Sequence, residues 1–212
     1  MFITLEGIEG SGKSSQLDNI RVFLENQGHS VVVTREPGGT DIGKNIRAIL
    51  LHPANRKIDP FTELFLYEAD RVEHVRKIIM PALAAGRTVL CDRFTDATMV
   101  YQGYARGLDL EMIERIHRVI LGSLKPDMTI LLDVSPEIGL ARAWTQIENG
   151  GRTGDESRFE EETLAFHEKI RAGYQDIARG EPDRFCIVDA SHDPLTVKNA
   201  ILAFLRRALV SS

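Results

Sequence analysis

Cysteine is scarce in this chain. There are two, Cys91 and Cys186, each inside an apolar run (TVLCD and RFCIVDA). Two thiols so placed exclude a disulfide framework and have no metal-ligand spacing, so both are read as buried free thiols in strands. Long apolar runs are also missing: none approaches the roughly 18 residues of a membrane span, and the N-terminus lacks the basic-then-apolar pattern of a targeting segment. A soluble, cytoplasmic chain with no membrane attachment is expected. Nor is there a basic excess. The 26 Lys and Arg against 31 Asp and Glu leave a formal net charge of −5, which excludes a broad nucleic-acid or anionic-membrane surface. An anionic ligand must then be met by a local group of arginines and lysines. The six histidines (His29, His52, His74, His117, His167, His192) show no ligand spacing and are read as surface or packing residues.

Against these absences stands an ordinary globular composition, 43% hydrophobic and 27% charged, which argues against disorder. A length of 212 residues suits one α/β domain and is short for two. Five apolar, β-branched runs recur, at 2–7, 30–36, 87–94, 127–134 and 184–190. Between them lie segments of helical period, such as the one carrying Leu17, Ile20 and Leu24 and closed by Gly28. Strands alternating with helices predict a five-stranded parallel sheet covered on both faces, a three-layer α/β/α arrangement. The run AILAFLRRALV (200–210) is expected to be an amphipathic helix docked on the sheet. One stretch breaks the pattern: TQIENGGRTGDESRFEEE (145–162), rich in Gly, Arg and acidic residues, suits a solvated loop or a mobile lid.

Gly7-Ile8-Glu9-Gly10-Ser11-Gly12-Lys13-Ser14 fits G-x-x-x-x-G-K-[ST] and lies between a strand run and a helical run. The glycines let successive backbone N–H groups face phosphate oxygens at a helix N-terminus. Lys13 reaches the β- and γ-phosphates, and Ser14 offers its hydroxyl to Mg²⁺. This P-loop predicts a nucleotide-binding fold but does not distinguish a kinase from a GTPase or a motor ATPase. No N/T-K-x-D guanine reader follows, and the third strand run ends in Asp92-Arg93 rather than Asp-Glu.

Asp92 and Arg93 fall at the carboxyl end of a central strand, where open α/β sheets bind ligands. Asp92 suits Mg²⁺, through water, or an acceptor phosphate. Arg93 suits phosphate oxygens. In TREPGGTDIGKNIR, Arg35 and Arg47 are candidates for an acceptor phosphate. In ELFLYEADRVEH, Tyr67 and Arg71 share a helix face, which suits a stacked nucleobase with one edge read; spacing alone favours packing and a surface arginine.

Taken together and in order, GIEGSGKS, TREPGGT, YEADR, DRFTDATMVYQG and the arginine-bearing stretch near 150–158 resemble the bacterial thymidylate kinases over essentially the whole chain. The resemblance implies transfer of the ATP γ-phosphoryl group to dTMP, with Mg²⁺ as cofactor and a homodimer as assembly. It places the ATP phosphates on Gly7 to Ser15 and adenine against Arg142. Arg71 would read the thymine O4 edge and Tyr67 would stack, where the family commonly has phenylalanine. Thr98 and Gln102 would line base and sugar. Tyr101 would lie beneath the deoxyribose and leave no room for a 2′-hydroxyl. Glu9, followed by Gly10 rather than arginine, matches the branch that takes its catalytic arginine from the lid, here Arg152 or Arg158. Lys13, Glu9, Asp92, Arg93 and a lid arginine form the expected catalytic set; Ser14, Glu9 and Asp92 form the metal set. Another small nucleotide or deoxynucleoside kinase, or a non-catalytic nucleotide switch, are the alternatives.

Overall fold

The computed structural model describes residues 1–150 and 154–210. All five expected strand runs are strands: β1 (Phe2–Glu6), β2 (Val31–Arg35), β3 (Thr88–Asp92), β4 (Met128–Asp133) and β5 (Phe185–Asp189). They pair in parallel in the order β2-β3-β1-β4-β5. From β1 the chain crosses to the β2 side, and from β3 it crosses back to β4. The crevice at this reversal lies beyond the carboxyl ends of β1 and β3, where ligands bind such sheets.

Alternation along the central strands serves two cores. Phe2, Val89 and Cys91 turn to one face and pack with Val75, Ile79 and Phe94. Ile3, Leu5 and Leu90 turn to the other and pack with Ile20, Leu24, Ile201 and Leu205. Both faces are therefore dry, which explains why the runs show so little polar alternation. Cys91 is buried in β3 and Cys186 half-buried in β5, both as free thiols.

The helices are α1 (Lys13–Asn26), α2 (Asp41–Leu51), α3 (Pro60–His74), α4 (Met80–Ala84), α5 (Thr95–Thr98), α6 (Leu110–Leu121), α7 (Pro136–Glu148), α8 (Leu164–Gly180) and α9 (Pro194–Val210). Side-chain caps set several starts: Thr40 accepts from Gly43 N, and Asp59 from Phe61 N and Thr62 N. Between α3 and α4 the chain forms a π-type turn, Val75–Ile79, just ahead of Pro81. Proline has no N–H and crowds the carbonyl four residues back, so a wider turn there relieves the clash. A second π-type segment, Met99–Ala105, continues α5 and carries Tyr101 and Gln102.

The stretch expected to be a lid at 145–162 is only partly irregular. Helix α7 runs through Glu148, and Gly154–Glu156 forms a 3-10 turn. Ser157, Arg158, Phe159 and Glu160 are buried rather than solvated. Among the described residues, no helix is long and apolar enough to cross a membrane.

Candidate active site

The loop after β1 wraps tightly because glycine is required at its closest contact. Gly10 has φ +65°, and a Cβ there would lie 1.9 Å from the Gly139 carbonyl oxygen at the start of α7. Gly139 is held reciprocally, since its own Cβ would come within 2.6 Å of the Glu9 carbonyl. Gly10→Ala is therefore expected to cost about 1–3 kcal/mol in thermal or urea unfolding and to weaken ATP binding, checked by nucleotide titration of the variant. Inside the loop, Lys13 Nζ donates to the carbonyls of Gly7 and Ile8, both at 2.9 Å. Burial, with Arg93 adding to it, pushes the Lys13 ammonium down to about 8. A bound polyphosphate would restore the charge that burial disfavours.

A cavity of about 540 Å³ runs from this loop to α3 and the 99–105 segment. Glu9 lines it. Tyr101 donates its hydroxyl to both Glu9 oxygens (2.7 and 2.9 Å), and Arg93 Nη2 donates to Oε1 at 2.8 Å. The Arg93 guanidinium also lies 4.8 Å from the Tyr101 ring centroid. Burial opposes the Glu9 charge, but Arg93, then His167 and Lys13, hold the carboxylate well below its ordinary range. Arg93 has φ +67°, the one positive value among the described non-glycine residues. That turn is fixed by backbone bonds: Arg93 N donates to Leu5 O at 3.0 Å, and Phe94 N to the Glu6 carboxylate at 2.7 Å. Asp92 also lines the cavity, and its Oδ1 is buried with no hydrogen-bond partner.

Arg71, Tyr67, Thr98 and Gln102 line the same cavity at its α3 side. Arg71 is not the surface arginine that spacing allows; it is 1% exposed. Its Nε donates to Glu36 (2.8 Å), Nη1 to Glu68 (2.5 Å), and Nη2 to Thr98 Oγ1 (2.9 Å) and the Phe94 carbonyl (3.2 Å). This rigid fork keeps one edge on the cavity wall. Glu36 is held in turn by His74 Nδ1 at 2.9 Å, and His74 Nε2 meets Thr34 Oγ1 at 2.6 Å. Burial, then Glu63, raises the Tyr67 phenol, so that ring is neutral. Gln102 donates to Glu63 at 2.7 Å.

The remaining arginines divide. Arg35 is exposed and lines the cavity. Arg47 also lines it, with its fork on Glu156 (2.9 and 2.7 Å) and Nη1 on the Pro37 carbonyl. Arg142 borders a second hollow of about 490 Å³ beside Gly10, Gly12 and Ser15. There it donates to the carbonyls of Ala190 (2.6 Å) and Ser191 (2.9 Å), tying α7 to the segment before α9. Arg152 lies outside the described residues.

Arg158 and Glu9 are both engaged by neighbouring side chains. Arg158 does not reach the cavity: it is 1% exposed, its Nη1 forms an ion pair with Glu63 Oε2 at 2.6 Å, and its Nε bonds the Leu50 carbonyl. Glu9 accepts from Tyr101 on both oxygens and from Arg93 on Oε1, and Ser14 and Asp92 line the same cavity.

Three histidines read as surface or packing residues, His74, His117 and His167, are buried in polar networks around the site. The sequence signal was weak, because each partner lies far away in the chain. Asp70 was missed as well. It is fully buried, accepts from Gly38 N at 3.0 Å and so fixes the Pro37-Gly38-Gly39 turn beside Arg35. Burial, and then Glu36, pushes its carboxyl up to about 6. A folded pKa above the ordinary value near 4 means that ionising Asp70 opposes folding, so its cost grows as pH rises from about 4 to about 6 and stays constant above. Asp70→Asn should therefore gain on the parent by about 2 kcal/mol more at pH 8 than at pH 4 in urea unfolding. An equal difference at both pH values contradicts the assignment.

A thymidylate kinase family model matches residues 5–201. The chain is 56% identical over 207 residues to a thymidylate kinase of Desulfosudis oleivorans, covering 98% of this chain and 97% of that one. It is 55% identical over 209 residues to one of Desulforapulum autotrophicum, covering 99% and 92%. The crystal structure of a thymidylate kinase from Ehrlichia chaffeensis superposes with a TM-score of 0.77 at 31% identity, over 97% of this chain and 98% of that one. With its loop, its strand order and its full-length relatives in agreement, this chain belongs to the thymidylate kinase family.

Proposed function

We propose how this chain, as a thymidylate kinase, moves the γ-phosphoryl group of ATP onto dTMP to give dTDP. The observation that carries the proposal is the meeting, around one cavity, of the phosphate loop, Asp92-Arg93 and the Arg35, Tyr67 and Arg71 group. ATP lies with its phosphates over Gly7 to Ser15 and its adenine beside Arg142. The thymine stacks on Tyr67, and its O4 edge shares the Arg71 fork with Thr98. Gln102 and Tyr101 enclose the sugar, and Arg35 and Arg47 take the acceptor phosphate.

An oxygen of that phosphate, largely ionised near neutral pH, attacks the γ-phosphorus while the bond to the β–γ bridging oxygen breaks and ADP leaves. Transfer of this kind demands alignment and charge neutralisation more than proton removal. Lys13 and Arg93 supply fixed positive charge, Glu9 holds Arg93 and Tyr101 in place, and no separate strong base is needed. Asp92, with an unpartnered buried oxygen, and the Ser14 hydroxyl fit a hard cation or its water shell. Mg²⁺ bound there with ATP would spread the charge of the β- and γ-oxygens.

The stretch 145–162 belongs to the proposal as a lid over the transferring group, with Arg152 or Arg158 as its arginine; the Glu63 ion pair of Arg158 favours Arg152. A cytoplasmic homodimer belongs to it too, formed through α2 and α3, which pack together and expose Ile42, Ile49, Phe61 and Phe65. Initial velocities measured across ATP and dTMP concentrations test direct transfer. Intersecting lines, with activity lost on EDTA and restored by Mg²⁺, are expected. Parallel lines would show a phosphoryl-enzyme and contradict it.

A further inference from the structure

His167 belongs to none of the roles above, yet it is fully buried between the phosphate loop and the segment that leads into α8. Its Nε2 lies 2.9 Å from the Phe159 carbonyl. A carbonyl only accepts, so Nε2 carries a proton and donates. Its Nδ1 faces Glu9 Oε2 at 3.4 Å, close enough for an ion pair though off-line for a hydrogen bond, and it has no other hydrogen-bond partner among the described residues. A lone pair aimed at a buried carboxylate is unfavourable, whereas an N–H there is favourable. Two acceptors on opposite sides of one imidazole thus call for donors on both nitrogens. Burial opposes that charge, but Glu9, the Phe159 carbonyl and Glu160 outweigh it and raise the imidazole above its ordinary value.

The surroundings make this a connection rather than a filler. Phe159 lines the cavity and meets the Tyr101 ring edge-on at 5.2 Å. Phe166, next to His167, lies 6.3 Å from both rings. The Glu9 carboxylate that His167 faces is the same group that receives Tyr101 and Arg93. One imidazole therefore spans from the backbone of the lid root to the Glu9 acceptor in the site.

We propose that His167 is a positioning residue for the phosphoryl transfer: by bridging the Phe159 carbonyl and Glu9, it seats the 157–163 segment on the phosphate loop and fixes the carboxylate that orients Arg93. The proposal rests on Glu9 and Arg93 belonging to the reaction centre, so Glu9→Gln is measured beside the histidine variants. His167→Phe keeps an aromatic ring in the cavity and removes both donors. His167→Asn keeps a donor on the Glu9 side but is smaller.

A bridge predicts that His167→Phe still unfolds cooperatively, loses about 10- to 100-fold in kcat with little change in KM for either substrate, and exchanges its amide hydrogens faster over 157–163. His167→Asn should recover part of the lost kcat despite its poorer fill. A packing role predicts the opposite ranking, with Phe at least as active as Asn, and that ranking overturns the proposal. So does wild-type kcat in His167→Phe. Full activity in Glu9→Gln removes Glu9 from the reaction centre, and the proposal falls with it.

Discussion

Replacing Arg93 with alanine lowers kcat by about 10³-fold and leaves ATP affinity within a few-fold, the result expected of a charge that matters most in the transition state. The phosphate loop and Lys13 bind the nucleotide without it, so ground-state affinity should change little. Three features place the guanidinium for this work. The backbone at Arg93 is held at φ +67° by bonds from its own N–H and that of Phe94. The Glu9 carboxylate fixes one Nη, and the Tyr101 ring supports the guanidinium plane. Arg93→Lys keeps the charge without the planar fork and should recover only part of the loss. Steady-state kcat with saturating ATP and dTMP, beside calorimetric binding of ATP, checks it. An unchanged kcat in Arg93→Ala removes Arg93 from the mechanism.

Arg71→Ala should act on stability and substrate together. Its guanidinium sits between two buried carboxylates, Glu36 and Glu68, with side chains at most 4% exposed. Burial opposes ionisation of Glu68, yet Arg71 and then His117 hold its carboxyl below the ordinary range. Removing the arginine leaves each buried carboxylate with a histidine alone, Glu36 with His74 and Glu68 with His117, which costs about 3–5 kcal/mol in unfolding free energy. It also frees Thr98 and the Phe94 carbonyl and removes the donor edge from the base side of the cavity. The KM for dTMP should then rise by about tenfold or more while the KM for ATP holds. Urea unfolding and steady-state kinetics read the two effects separately. Wild-type stability would show that the Glu36-Arg71-Glu68 group is not the buried ion cluster described, and an unchanged dTMP KM would take Arg71 out of base recognition.

What could be read from the chain without coordinates follows from how local each signal is. The five strands were legible because each is a continuous apolar, β-branched run, and all five fell within those runs. Strands β1, β3 and β4 are buried on both sheet faces, and the edge strands β2 and β5 are more exposed. The phosphate loop was legible because its glycines, lysine and serine are contiguous and their backbone demands are local. The cavity lining was legible in part: Arg35, Asp92 and the Tyr67-Arg71 pair were readable as candidates at strand ends and on one helix face, Thr98, Tyr101 and Gln102 came from the resemblance, and only the sheet order brings these elements together. The burial of the acid–base network was not legible. Glu36 with His74, Arg71 with Glu68 and His117, and Glu9 with His167 look in sequence like isolated polar residues on helices or in loops. Apart from Arg71 and Glu68, which share α3, the partners arrive from different elements, and that meeting buries the groups. The acidic, glycine-rich stretch read as a solvated loop or a mobile lid, and its second half is anchored by Phe159 in the aromatic cluster and by Arg158 on Glu63.

The measurement that tests the central claim most directly is ADP production by the purified chain with ATP and Mg²⁺, comparing dTMP, dUMP, the ribose form of TMP, dCMP and dGMP as acceptors. Strong stimulation by dTMP, weaker by dUMP and little by the other three is the result predicted by a thymine edge on Arg71 and a closed sugar pocket at Tyr101. Equal or greater stimulation by the ribose form, dCMP or dGMP, or none by any acceptor, would contradict it.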